Sequence, residues 1–456
     1  MTKLSFSDQL KLDLRHRLRP MSGRNPDDPH RTVTPLELLY DLTYVIAFAA
    51  AADELAHALF IGEVGSGIGA YAFAIFGVSW AWLNFTWFSS AYDNDDALAR
   101  VAVVVQMVGV VIFIFGLPIS FEDAAHGASP NNMLLVAGYI VMRVPLIALW
   151  LRAARTDPER RRTSIAYATV IAIAQVGWLL TTIPGIPTGA IIAALVVLAS
   201  AELIAPLVIE RRYGRAPWNA GHIAERFGLL TLITLGEVIA GTVAAVGALV
   251  GEQGWSVAAV AIVAAGLVIA AGLWWAYYLV PSRTILLRWP ERTWGWRYVH
   301  LPLFGAIAAV GAGLHVAAEG VEHEELSLLQ ITLALAVPVA CVVVLVFLIW
   351  SVLMRSMDLT HVPLFLCNLV PLVAAVVIAA FVDAGAPINL EPGGDLTALV
   401  TVIGLVSLSC VIEVVGHELV GYSHTLRAAK RHLLEPEIEA RRAHRSSFDA
   451  GNRPGP

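Results

Sequence analysis

Charge is scarce in this sequence. Only 14% of its 456 residues are Asp, Glu, Lys or Arg, whereas soluble domains carry about a quarter. A chain this long needs more polar surface than that to fold in water, so its bulk must face lipid. Lysine is almost missing, with 3 residues against 27 arginines, a skew that fits a GC-rich bacterial genome. Cysteine is limited to Cys341, Cys367 and Cys410, each in an apolar stretch, which excludes a disulfide framework and a cysteine metal site. The first 31 residues are charged throughout and hold no short apolar core, so no cleavable signal peptide is expected. No glycine-rich phosphate loop ends in Lys-Ser or Lys-Thr, and Gly421 stands where a zinc-protease helix beginning at His417-Glu418 needs its second His. No hydrophilic segment is long enough for a separate catalytic domain. The expectation is a protein that is not an enzyme, holds no cofactor or metal and has no nucleic-acid partner.

What is there is apolar: 57% hydrophobic residues and a mean hydropathy of +0.70. Spanning a bilayer takes about 20 mostly apolar helical residues. Twelve such stretches run over 35–58, 67–90, 97–119, 132–153, 164–183, 187–209, 222–248, 256–281, 297–318, 329–354, 363–384 and 396–424. The narrowest break is at Pro184-Gly185. Placing the N-terminus inside and alternating puts 28 of the 30 basic residues in inside segments. The other two, Arg143 and Arg226, fall within helices. The outside loops are acidic instead, with Glu63, Glu122, Asp123, Glu252, Glu319, Glu322, Asp383 and Glu391 among their charges. A wrong helix count would swap loop sides and break this partition, so the positive-inside rule supports the count and two cytoplasmic ends. Residues 1–20, with Leu4, Leu10, Leu14 and Leu18 among basic residues, read as an interfacial helix or a basic tail.

Two helix starts resemble each other. At one offset of 188 residues, Glu37 meets Glu225, Leu42 meets Leu230, Thr43 meets Thr231 and Trp87 meets Trp275. Six helices per repeat is an even number, so the halves would be parallel, related by an axis along the membrane normal. The expected architecture is all-α and polytopic, with about twelve transmembrane helices and a 6+6 parallel internal repeat. Its parts are a basic cytoplasmic segment (1–32), two six-helix repeats (33–210 and 211–425) and a charged cytoplasmic tail (426–456).

The chemistry-bearing residues lie inside these helices. Glu37 and Asp41 are four apart and share a helix face, a stripe that Tyr44 and Phe48 extend. His222, Glu225 and Arg226 sit at the matching depth of the seventh helix. Either these form an ion or proton site at the pseudo-twofold axis, or they form a salt-bridge cluster in which Glu37 or Asp41 pairs with Arg226 or Arg100. Arg143 lies near the middle of the fourth helix and needs an acid or water, with Glu202, Glu237 and Glu413 as candidate partners. Glu413 and His417 are again four apart. His315 reads as a packing residue, and Trp274, Trp275, Tyr277 and Tyr278 as an interfacial aromatic belt.

Several of these motifs point to one family. Glu37-Leu-Leu-Tyr-Asp-Leu-Thr-Tyr-Val is similar to the Glu-Leu-Phe-Phe-Asp-Leu-Val-Phe-Val signature of the bacterial low temperature requirement A (LtrA) family. His222-Ile-Ala-Glu-Arg-Phe-Gly-Leu-Leu-Thr-Leu-Ile-Thr-Leu-Gly-Glu237 resembles that family's second signature, and Trp274-Trp275-Ala-Tyr-Tyr278 and His300-Leu-Pro-Leu303 also fit. The sequence departs at Leu39, Tyr40, Thr43 and Tyr44, where the family favours Phe or Val. The resemblance implies a multi-pass protein of the bacterial plasma membrane and brings no settled activity with it. The residues themselves suggest a transporter or channel for an ion or small polar solute, working through intramembrane carboxylates with lipid as its surroundings. The alternative is a membrane-stress or scaffold protein whose buried charges are structural. Lysosomal potassium channels with two six-helix repeats offer an analogy of architecture.

Overall fold

The computed structural model describes residues 20–28, 31–92, 94–127, 131–323, 326–355, 362–385 and 396–431. The proposed interfacial helix over 1–20 and the tail beyond 431 lie almost wholly outside these. Among the described residues every regular element is a helix. The first six spans are α1 (Pro35–Phe60), α2 (Val64–Tyr92), α3 (Ala97–Ala125), α4 (Met133–Thr156), α5 (Arg161–Leu180) and α6 (Thr188–Tyr213). The seventh is split into α7 (Ala220–Thr234) and α8 (Gly236–Gln253). Then come α9 (Val257–Tyr278), the short α10 (Ser282–Arg288), α11 (Thr293–His323), α12 (Leu328–Met354), α13 (Val362–Gly385) and α14 (Thr397–Gly416). A π-turn over His417–Gly421 leads into α15 (Tyr422–Ala429). Twelve stretches are long and apolar enough to cross a membrane, and they coincide with the twelve expected from the sequence.

Local sequence explains the ends. Thr34 and Glu37 form a reciprocal capping box at the start of α1, with Pro35 in the first turn. Asp96 caps α3 and Ser256 caps α9. Ser327 and Gln330 repeat the capping box on α12, where Asp383 also accepts the Leu328 and Leu329 N–H groups. Six spans carry an internal proline, Pro118, Pro145, Pro206, Pro302, Pro338 and Pro371, without ending. Neighbouring helices let a lipid-embedded helix tolerate that. Outward residues are bare hydrocarbon: Val101, Phe115, Ile173, Val197, Val370 and Phe381 are all more than 60% exposed. Patches of that kind suit acyl chains and would be a liability in water.

The chain divides into two compact units, Met1–Ile233 and Thr234–Pro456. The division falls within the seventh span, after Ile233 near the end of α7. In the first unit α1 packs on α2 and α3, and α3 to α6 follow in sequence as packed pairs. The α3–α4 crossing is close because Gly109 and Gly138 face backbone: a Cβ on Gly138 would lie 2.5 Å from Phe113 N. In the second unit α11 packs on α8 and α12, α9 on α14, and α13 between α12 and α14.

The four residue pairs behind the repeat occupy different environments. Glu37 is buried and Glu225 half-buried, Leu42 is exposed and Leu230 buried, Thr43 is half-buried and Thr231 buried, and Trp87 is buried while Trp275 is exposed. Environment therefore lends the 6+6 repeat no support.

Candidate functional site

The capping box that starts α1 also aims its acids. Glu37 is the third residue of the helix, and its Oε2 accepts the Thr34 N–H at 3.0 Å. Asp41 follows one turn later on the same face, with Tyr40 and Tyr44 beside it, and all four side chains are buried. In lipid such a stripe needs polar partners, and α7 supplies them. Asn219 caps α7 by accepting the His222 N–H at 2.8 Å. His222 and Arg226 then project one turn apart. His222 Nε2 lies 3.3 Å from Glu37 Oε2. Arg226 Nη2 donates to Asp41 Oδ1, and Nη1 sits 3.5 Å from Glu37 Oε1. Trp82 Nε1 donates to the same Asp41 oxygen at 2.6 Å.

Ser89 joins a second guanidinium to the cluster. Its Oγ accepts from Arg226 Nη1 at 3.0 Å, and its backbone oxygen accepts from Arg31 Nη2 at 2.7 Å. Two carboxylates thus meet two arginines, and the group is neutral when His222 is neutral. The Arg226 guanidinium also lies within 6.0 Å of the Tyr40, Trp82 and Phe85 rings, an arrangement that favours a desolvated cation. Among the described residues, no helix of the first unit makes extensive close backbone contact with α7. Side chains are what join it to α1 and α2.

A second buried charge pair lies deeper in the same unit. Arg143 Nη2 donates to Glu202 Oε2 at 2.8 Å. Tyr139 adds a bond to that oxygen at 2.8 Å, and Trp178 Nε1 donates to Oε1 at 2.9 Å. Of the three candidate acids, Glu202 is the one that pairs with Arg143. Glu202 is also one of few buried residues on α6, so this network holds a mostly lipid-facing helix to the bundle. A tyrosine pair lies between the two charge groups. Tyr40 and Tyr44 hydroxyls are 2.8 Å apart, Tyr40 donates to Gln106 Oε1 at 3.2 Å, and Tyr44 reaches Met142 Sδ at 3.2 Å, the residue before Arg143. A polar file therefore runs down α1 from Glu37 to the level of Arg143.

The remaining candidates fall elsewhere. Glu225 is half-buried and outside the cluster, although Arg226 is its neighbour in sequence. Arg100 pairs with Asp95 at 2.8 Å, not with the α1 acids. In the second unit His315 Nε2 lies 3.6 Å from Glu237 Oε1, so His315 has an acidic neighbour and is more than packing. Glu413 accepts from Asn368 Nδ2 at 2.6 Å and lies 3.0 Å from His417 Nε2, at the start of the π-turn. The three cysteines are free.

Several participants escaped the sequence reading. Trp82, Ser89, Tyr139, Trp178 and Asn368 look like ordinary members of apolar helices, and Arg31 reads as one more inside-loop charge. Glu210, beside Arg211 and Arg212, reads as interfacial, yet it accepts from Trp87 Nε1, Tyr167 Oη and Trp218 Nε1. Five of the thirteen tryptophans lie in the first 180 residues, in helices that carry no acid of their own, so nothing along the chain marked them as carboxylate partners.

Compared with protein-family models, residues 32–403 match the one described as bacterial low temperature requirement A protein (LtrA). No curated protein and no solved structure matches the chain. The matched range contains both charge groups of the first unit except Arg31.

Proposed function

The chain belongs to the bacterial low temperature requirement A (LtrA) family, and from that footing we propose that it is a transporter or channel for an ion or small polar solute. It sits in the bacterial plasma membrane with both termini cytoplasmic, the orientation that the arginine-rich loops favour. No chemical step is part of this reading.

One observation carries it: the buried acids of α1 are held by His222 and Arg226 of α7, the first part of the seventh span. Intramembrane ionisable groups are costly and mark ion or solute paths. In this reading the α1–α7 ion pairs close the polar file from the Glu37 end. Exchange of those pairs for an ion or solute opens it.

A second reading is a scaffold whose charges only hold helices together. The saturation of Glu202 by three donors favours it. Purified chain in liposomes, assayed for potassium, sodium and proton flux with entrapped dyes, separates the two. Transport predicts flux in the wild type that is lost in Glu37→Gln and Asp41→Asn proteins that remain folded. A wild type without flux, together with folded variants that still complement a deletion strain, would establish the scaffold.

A further inference from the structure

The stretch before α1 is not a loose leader. Met21 is fully buried, and its carbonyl accepts from Thr156 Oγ1 at 2.8 Å. Arg24 N–H donates to Ala91 O at 3.0 Å, and Asn94 Nδ2 donates to Pro20 O at 3.0 Å. Asn219, the cap of α7, uses its Nδ2 on both Pro26 O and Asp28 O, at 2.9 and 2.8 Å. Residues 20–28 are thereby tied to the ends of α2, α4 and α7 in the first unit.

This segment borders an open polar pocket of about 340 Å³ lined by Ser22, Gly23, Arg24, Asn25, Asp28, Arg31 and Asn94. The volume lies within the range of about 300–1,000 Å³ that small-molecule sites occupy. The lining carries two guanidiniums, Arg24 and Arg31, and one carboxylate, Asp28. Asn25 spends its side-chain oxygen on the Asp27 N–H at 3.1 Å, which leaves its NH₂ group as the part that can meet a ligand. Arg31, 6% exposed, is anchored at Ser89 O, the same residue whose Oγ accepts from Arg226. The cavity therefore borders the charge cluster of α1 and α7.

We propose that this cavity is a binding site for a small oxyanion, a carboxylate or phosphate group, held by Arg24, Arg31 and the Asn25 amide at the mouth of the charge cluster. Guanidinium forks match the geometry of such groups, and Arg31, being buried, is shielded from the screening that weakens surface charges. The assignment goes beyond the transport reading and does not depend on it, since a chain that moves no solute can still bind one here.

The test is thermal melting of the purified full-length chain in phosphatidylcholine nanodiscs, titrated with sodium phosphate or sodium acetate against sodium chloride at equal ionic strength. A ligand that binds the folded state alone raises the melting temperature with concentration. Phosphate or acetate is expected to protect and chloride is not. Arg24→Gln, at an exposed position, is expected to weaken apparent affinity about tenfold, the loss of one charge-assisted bond, and Asn25→Asp, which also adds a repelling carboxylate, by at least as much. Asp28→Asn removes the competing carboxylate and is expected to strengthen it. If phosphatidylglycerol nanodiscs protect without added salt, and Arg24→Gln abolishes that effect, the oxyanion is a lipid headgroup; protection by soluble phosphate alone makes it a free solute. Equal protection by chloride, or unchanged affinity in all three variants, overturns the site.

Discussion

Arg226 Nη2 donates to Asp41 Oδ1, and neither side chain has any exposed surface. The bond joins α7 to α1 across the first unit, and Trp82 and Ser89 complete the shell around it. In water such a pair would contribute little. Buried, each partner depends on the other, because removing one leaves an uncompensated charge in a low-dielectric setting.

Arg226→Ala should therefore cost more than Glu37→Gln. Loss of the guanidinium leaves Asp41 and Glu37 with no arginine on α7, at about 3–5 kcal/mol for a well-buried pair. Glu37→Gln keeps the Asp41–Arg226 bond and a side-chain oxygen for Thr34. Melting temperature and monodispersity in detergent check the order. A variant Arg226→Ala as stable as Glu37→Gln would refute the pairing.

The Arg143–Glu202 pair should behave as a unit. Arg143→Met and Glu202→Gln alone are each expected to destabilise by about 3–5 kcal/mol. Combined as Arg143→Met with Glu202→Gln, the loss should be smaller than the sum of the single losses, because no buried charge remains. A double-mutant cycle on denaturant midpoints gives the coupling, and strict additivity would contradict the contact.

Gly138→Ala should loosen the α3–α4 crossing. Its new methyl would meet Phe113 N at 2.5 Å, a backbone atom that cannot step aside. Overpacking of this kind costs about 1–3 kcal/mol. Gly69→Ala, with nothing within 4 Å of the added atom, is the control and should leave the melting temperature unchanged or slightly raised.

Reporter fusions test the orientation. A fusion after Glu122 should read as extracytoplasmic, and fusions near Arg161 and Arg212 as cytoplasmic, as the distribution of arginine requires. A cytoplasmic signal after Glu122 would invert the arrangement.

Much was already legible in the residues. All twelve spans could be read because lipid imposes one demand on each, about 20 apolar residues with their backbone bonds satisfied internally. That Glu37 and Asp41 share a face followed from helical spacing alone, and Arg226 was one of two cations offered as their partner. Partner choice needed the tertiary structure. Arg226 faces Asp41 while its neighbour Glu225 does not, because consecutive helix residues diverge by about 100° and only packing says which direction is inward. Arg143 had three candidate acids and takes Glu202, since α4 and α6 lie near enough for that contact in the first unit. Trp82, Tyr139 and Trp178 carry no mark in the sequence that separates an indole or phenol holding a carboxylate from one facing lipid. The polar cavity over Ser89 likewise exists only because Asn219, some 190 residues away in the chain, ties the segment before α1 in place.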